Sequence, residues 1–243
     1  MLQPLGRVAL ALLPIFLAAC SGKGNDATPS NADPNGYCRD KTPDLIAAAG
    51  DPDAPVAPLT ATPVEGSACN AVERTFQTTA ITHLTPCAPV TVHTNPPAWG
   101  DHYSIFPQFG VYDYAIPRGF YVHSLEHGGV VFTYSCSDCG DDVAAAKSLI
   151  AENGPDAACC TASGCSSSVT SQLSLTPDPG IPSRWAASSW GATLTADCFE
   201  YDVFQNFIDA HRNSSVAPEN ANAVGAGICA NTYATDVTKP GPS

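Results

Sequence analysis

The sequence of 243 residues is poor in positive charge, with ten Lys and Arg against 23 Asp and Glu. Nucleic acid rewards clustered cations on its protein partner, so this balance argues against nucleic-acid binding. It argues equally against docking on anionic lipid by charge alone. Methionine occurs once, at Met1. Soft Cu(I) sites draw on Met and Cys sulfur, so a thioether-rich copper site is excluded. After residue 19 no apolar run approaches the roughly 20 residues that a membrane-spanning helix needs. No internal repeat is visible, and the Gly-x-Ser-x-Gly turn that presents a serine nucleophile is absent.

What is present begins at the N-terminus. Arg7 is the only charge before the short apolar run Val8 to Ala19, a pattern that reads as a secretory signal. The following Leu17-Ala18-Ala19-Cys20 resembles the bacterial lipoprotein cleavage signal. That resemblance implies a diacylglycerol on Cys20, a new N-terminus there, and a chain anchored to a membrane on its exported (periplasmic or extracellular) side. Each buried acyl CH₂ contributes about 0.8 kcal/mol, so two or three acyl chains hold firmly. Loss of residues 1–19 removes Arg7 and leaves 9 Lys and Arg against 23 acids, a net charge of −14. The lipid, not the charge, is therefore expected to do the anchoring.

There are eleven cysteines, and ten remain once Cys20 carries lipid. An even set in an exported chain reads as disulfides, although spacing does not give the pairing. Cys136-Ser-Asp-Cys139 also has the spacing of a zinc knuckle or a redox pair, and both alternatives stay open.

Residues 20–66 hold the lipidated Cys and a Pro/Ala-rich stretch that reads as a flexible tether. Residues 67–230 read as one globular domain, and 231–243 as a loose tail. Gly129 to Ser135 is β-branched and aromatic and predicts a strand. Asp141 to Glu152 predicts a helix that ends at Asn153-Gly154-Pro155. Thr170 to Leu175 and Arg184 to Thr195 predict two strands. Tyr201 to His211 places Val203, Phe204, Phe207 and Ile208 on one helical face. Together these give an α+β fold: a small, mainly antiparallel sheet with helices on one side, stabilised by disulfides.

Four of the six histidines fall between residues 93 and 127. His93 and His102 lie in a proline- and glycine-rich loop. His123 and His127 are four apart, so they share a face on either a helix or a strand. Glu126 joins them only on a helix. Gly128-Gly129 then permits a tight turn. Two imidazoles from this run and one from the loop form a common divalent-metal arrangement, with His102, His123, His127 and Glu126 as candidate ligands. Tyr103 and Tyr121 are candidates to hydrogen-bond those imidazoles from behind. Trp99 and Trp190 are candidates to wall the pocket. His-x-x-Glu-His also spells an inverted zinc-protease motif. That chemistry needs a long helix, which the paired glycines oppose.

The stretch from Asn95 to Glu219 resembles a bacterial domain-of-unknown-function family, numbered 3105. The resemblance rests on Pro96-Pro97, Gly100-Asp101-His102-Tyr103, Gly110-Val111-Tyr112 and Val122-His-Ser-Leu-Glu-His-Gly-Gly-Val130. It continues in Pro177-Asp-Pro179, in Ala187-Ser-Ser-Trp190-Gly191, and in Phe207-Ile208 before Pro218-Glu219. Here Asp101 stands where members usually have Pro, which adds a carboxylate near the site. Ala192 stands where they often have Lys or Arg. The resemblance implies an exported or membrane-anchored protein, a site at His102, His123, Glu126 and His127, and an association with copper handling. It names no reaction.

With sulfur spent on disulfides, a metal site must use nitrogen and oxygen, which suits Cu(II) or Zn(II). Three functions follow. One is metal binding at a membrane surface. A second is an enzyme, metal-dependent or with Glu126 or a histidine as acid–base catalyst. The third is an interaction module with buried, structural histidines.

Overall fold

The computed structural model describes residues 56–160, 170–224 and 228–229. The signal and lipidation segment and the tail from residue 231 lie outside the described residues, as do the first 36 residues of the expected tether. Among the described residues no helix is long and apolar enough to cross a membrane.

Among the described residues nine strands form two sheets. They are β1 (Thr60–Pro63), β2 (Val72–Thr75), β3 (His83–Leu84), β4 (His102–Tyr103), β5 (Gly110–Val111), β6 (Val130–Tyr134), β7 (Leu173–Pro177), β8 (Trp185–Ser189) and β9 (Ala192–Ala196). Four helices accompany them: α1 (Arg118–Glu126), α2 (Gly140–Glu152), α3 (Tyr201–His211) and α4 (Ala221–Val224). The main sheet has the order β1-β2-β9-β8-β6-β7-β5. The pairs from β1 through β6 are antiparallel, and β6–β7 and β5–β7 are parallel. The class is α+β, as the sequence implies.

Side chains alternate across β6, as a strand period of two requires. Val130 and Phe132 enter a core with Leu173, Leu175, Trp185 and Leu194, closed by α2 and by Phe204, Phe207 and Ile208 of α3. Val131 points the other way, into a core with Trp99, Tyr103, Trp190 and the apolar residues of α1. The expectation of helices on one side therefore holds for α2 and α3. It does not hold for α1, which covers the opposite face.

Two further differences have local causes. The segment read as one strand over Arg184 to Thr195 is a hairpin, β8–β9, with Ser189 opposite Ala192. Gly191, at φ +78°, supplies the left-handed residue that its two-residue turn needs. The sheet also begins at Thr60, inside the stretch expected to lack regular structure, because β1 pairs along β2. Among the described residues three disulfides join Cys69–Cys198, Cys136–Cys139 and Cys159–Cys229. Cys136 and Cys139 bond to each other, so they do not form the zinc knuckle left open above.

Candidate metal centre

The site is built where a short two-stranded sheet meets α1. β3 and β4 pair in parallel, with His83 opposite His102. Asp101 fixes this pairing, since its carboxylate accepts from the Thr82 amide at 2.7 Å. The extra carboxylate at that position is thus a strut for the chain before His83. α1 settles the choice left open between helix and strand. His123 and Glu126 lie on one helical face, three residues apart.

Every residue of α1 is buried. The helix ends at once because Gly128 takes φ +81° and returns its amide to the Leu125 carbonyl at 2.9 Å. Gly129 bonds to the Ser124 carbonyl, also at 2.9 Å. This left-handed cap satisfies the last carbonyls of the helix. A Cβ on Gly129 would stand 2.6 Å from a Phe109 ring carbon and 2.7 Å from the Ser124 oxygen. Gly129→Ala is therefore expected to destabilise the domain by roughly 1–3 kcal/mol, the usual penalty for overpacking. Denaturant unfolding checks this, and an unchanged midpoint would contradict the packing described.

The ring nitrogens are sorted by the backbone. His102 Nδ1 lies 2.8 Å from the Gly100 carbonyl, and His123 Nδ1 lies 2.7 Å from the Tyr103 carbonyl. A carbonyl only accepts, so both Nδ1 atoms carry hydrogen. In the neutral ring each Nε2 is then a bare lone pair. These lone pairs face one atom, Oε2 of Glu126. His83 Nε2 and His102 Nε2 each stand 3.0 Å from it, and His123 Nε2 stands 3.8 Å away. The ligand atoms of His83, His102, His123 and Glu126 all lie within 4.8 Å of one another.

Lone pairs do not face an ionised carboxylate oxygen at this distance, so either a proton on the ring or a metal cation lies between them. Glu126 is only 4% exposed. Burial pushes its carboxyl up, but a hydrogen bond from His102 and the charges of His102, His83 and His123 in their protonated forms outweigh this and hold it below its ordinary value. Burial pushes the His123 imidazole down to about 3, helped by the charges of His127 and His102 and opposed by Glu126. Burial also lowers His127 to about 4, against the bond to the Glu219 backbone and the charge of Glu126.

This has a consequence for stability. Unfolded imidazoles titrate near 6.5, above both folded values. Between those limits the unfolded chain binds more protons, so stability is full above about pH 6.5 and falls as pH drops toward 4. Chelator-treated protein is expected to lose a few kcal/mol over this window, since one unit corresponds to about 1.4 kcal/mol. Urea titrations at pH 7 and pH 5 measure it, and equal midpoints would count against the burial of these rings.

The structure brings together three of the four ligands expected from sequence: His102, His123 and Glu126. His127, the fourth, is the C-cap residue of α1 and is not in this group. It stacks on His123 at 4.7 Å and belongs to a second group with Glu219. His83 takes its place. Sequence reading missed His83 because it lies 19 residues before His102 on a two-residue strand, and only tertiary pairing joins them. His93 packs on Trp99, away from the group. Trp190 does border it, edge-on to His102 at 5.9 Å. Tyr103 supports His123 through its main-chain carbonyl, while its hydroxyl donates to the Ala88 carbonyl. Tyr121 does not reach the imidazoles; its hydroxyl donates to Asp178.

Residues 83–225 match a family model described as "Protein of unknown function (DUF3105)". The matched span opens on His83 and takes in every ligand named above. No curated protein and no solved structure matches the chain.

Proposed function

This chain belongs to the DUF3105 family, whose description assigns no activity, and we propose that it binds one Cu(II) or Zn(II) ion on His83, His102, His123 and Glu126, at a membrane surface outside the cytoplasm. The observation that carries this reading is the locked pair of tautomers. With both Nδ1 hydrogens given to backbone carbonyls, the Nε2 atoms of neutral His102 and His123 are lone pairs, and both turn toward one carboxylate. Metal-bound histidines are oriented by this kind of outer hydrogen bond.

The spacing also fits. A tetrahedron with bonds of 2.0–2.1 Å has edges of about 3.3 Å. The three nitrogens stand 3.0, 3.0 and 3.8 Å from the carboxylate oxygen. Three imidazoles and a carboxylate suit Cu(II) or Zn(II). The lipidation signal at Cys20 would hold the site at the membrane, in keeping with a role in capturing or buffering the ion.

Elemental analysis of protein purified from its native membrane, followed by titration of the stripped protein with each ion, tests the reading. Close to one equivalent of copper or zinc per chain is expected. Protein that carries neither metal, and binds neither above the level of a His102→Ala, His123→Ala variant, ends it. A cleft of about 550 Å³ beside His123 and His127 favours a second reading, a metal-dependent enzyme. Metal-dependent turnover abolished by Glu126→Gln in a hydrolase or oxidase screen would move the assignment there.

A further inference from the structure

We propose that His127 and Glu219 form an outer metal station that shares His123 with the inner site and hands its ion inward; this rests on the metal-binding reading above. Ligand atoms of His123, His127 and Glu219 lie within 4.8 Å of one another, as do those of the inner group. His123 belongs to both groups, yet it has one nitrogen to offer, because its Nδ1 is committed to the Tyr103 carbonyl. The two groups therefore compete for a single Nε2. Its ring sits evenly between them, with centroids 4.7 Å from His102 and 4.7 Å from His127.

The surroundings give the path a direction. The His102 side chain is fully buried, that of His127 is 7% exposed, and that of Glu219 is 42% exposed. The cleft of about 550 Å³ opens onto the outer group and is lined by Ser104, Phe106, His123, His127, Glu219 and Ile228. It admits a hydrated divalent ion, and the Glu219 carboxylate at its wall attracts one. With His123 engaged at the inner site, the outer group keeps two protein ligands and water completes its shell. An ion there is held loosely. With His123 engaged at the outer group, the ion has three protein ligands. Transfer is then a ligand exchange without redox change: bonds to His127 and Glu219 break as bonds to His102, His83 and Glu126 form, and water leaves.

The route past His83, whose side chain is 40% exposed, is the competing entry. Stopped-flow mixing of the full mature chain with Cu(II) separates the two. The readout is quenching of tryptophan fluorescence, since Trp190 lies 5.9 Å from His102. Glu219→Gln and His127→Gln are each expected to slow association about tenfold or more, with equilibrium affinity changed less than about threefold. Glu219→Gln alters an exposed side chain and keeps the fold. Association at the wild-type rate in both variants overturns the outer station and leaves the inner site standing. Rate-independent losses of affinity in both variants would make His127 and Glu219 ligands of a single site and also overturn it. A wild-type chain that binds no Cu(II) overturns the metal reading itself.

Discussion

Replacing His102 and His123 together by alanine is expected to weaken Cu(II) or Zn(II) binding by well over 100-fold. Loss of one outer hydrogen-bond partner already weakens a metal site about 10–100-fold, and here two direct ligands go. His127→Ala is expected to leave inner-site affinity within about threefold of wild type, because His127 lies outside that group. The contrast discriminates: both residues belong to the same His-x-x-Glu-His run, and only geometry separates them. Isothermal titration of the three proteins, with circular dichroism to confirm the fold, decides it. Equal losses in the His127 variant and the double variant would mean that the ligand set is drawn wrongly.

Asp178→Ala is expected to lower stability by about 3–5 kcal/mol, the usual result of stripping one partner from a buried ion pair. The Asp178 carboxylate accepts from Arg118 Nε at 2.8 Å, Arg118 Nη2 at 3.1 Å, the Tyr121 hydroxyl at 2.8 Å and the Gly180 amide at 2.9 Å. Arg118 is 1% exposed and Asp178 3% exposed, so removal of the acid leaves a cation sealed from water. The pair also ties the first turn of α1 to the end of β7. Replacing both residues, Arg118→Met with Asp178→Leu, is expected to recover most of the loss, since apolar substitutes for a whole buried pair are often neutral. Urea unfolding of the two variants tests this. A double variant no more stable than Asp178→Ala would show that shape, not charge, governs the position.

These residues also show what the sequence discloses. The elements with strong local periodicity were legible: β6, α2, and α3 with its buried Phe204, Phe207 and Ile208. Of the four residues of the inner group, His123 and Glu126 were legible in one short run, and His102 in the Gly100-Asp101-His102-Tyr103 motif upstream. His83 was not, because β3 and β4 are two residues each and carry no periodic signal. α1 was ambiguous for a different reason. It is buried on all sides, so no polar face marks it as a helix. Pro177-Asp-Pro179 was visible as a motif, but its purpose needed the fold, which brings Arg118 from 60 residues away. Tyr121 was assigned to the imidazoles for its closeness in sequence, whereas helical geometry sends its hydroxyl to Asp178.

The position of β2 governs when the protein can become whole. This N-terminal strand is wedged between β1 and β9, so Val72 waits for Thr195 before its ladder can close. A chain delivered N-terminus first must therefore stay open until nearly its full length has arrived, the slow regime of long-range strand pairing. All four inner ligands emerge by Glu126, yet α1 has no sheet beneath it until β6 and β8 have paired. Closing of the His83, His102, His123 and Glu126 cluster is thus a late event in folding, completed only once the central strands of the sheet have paired.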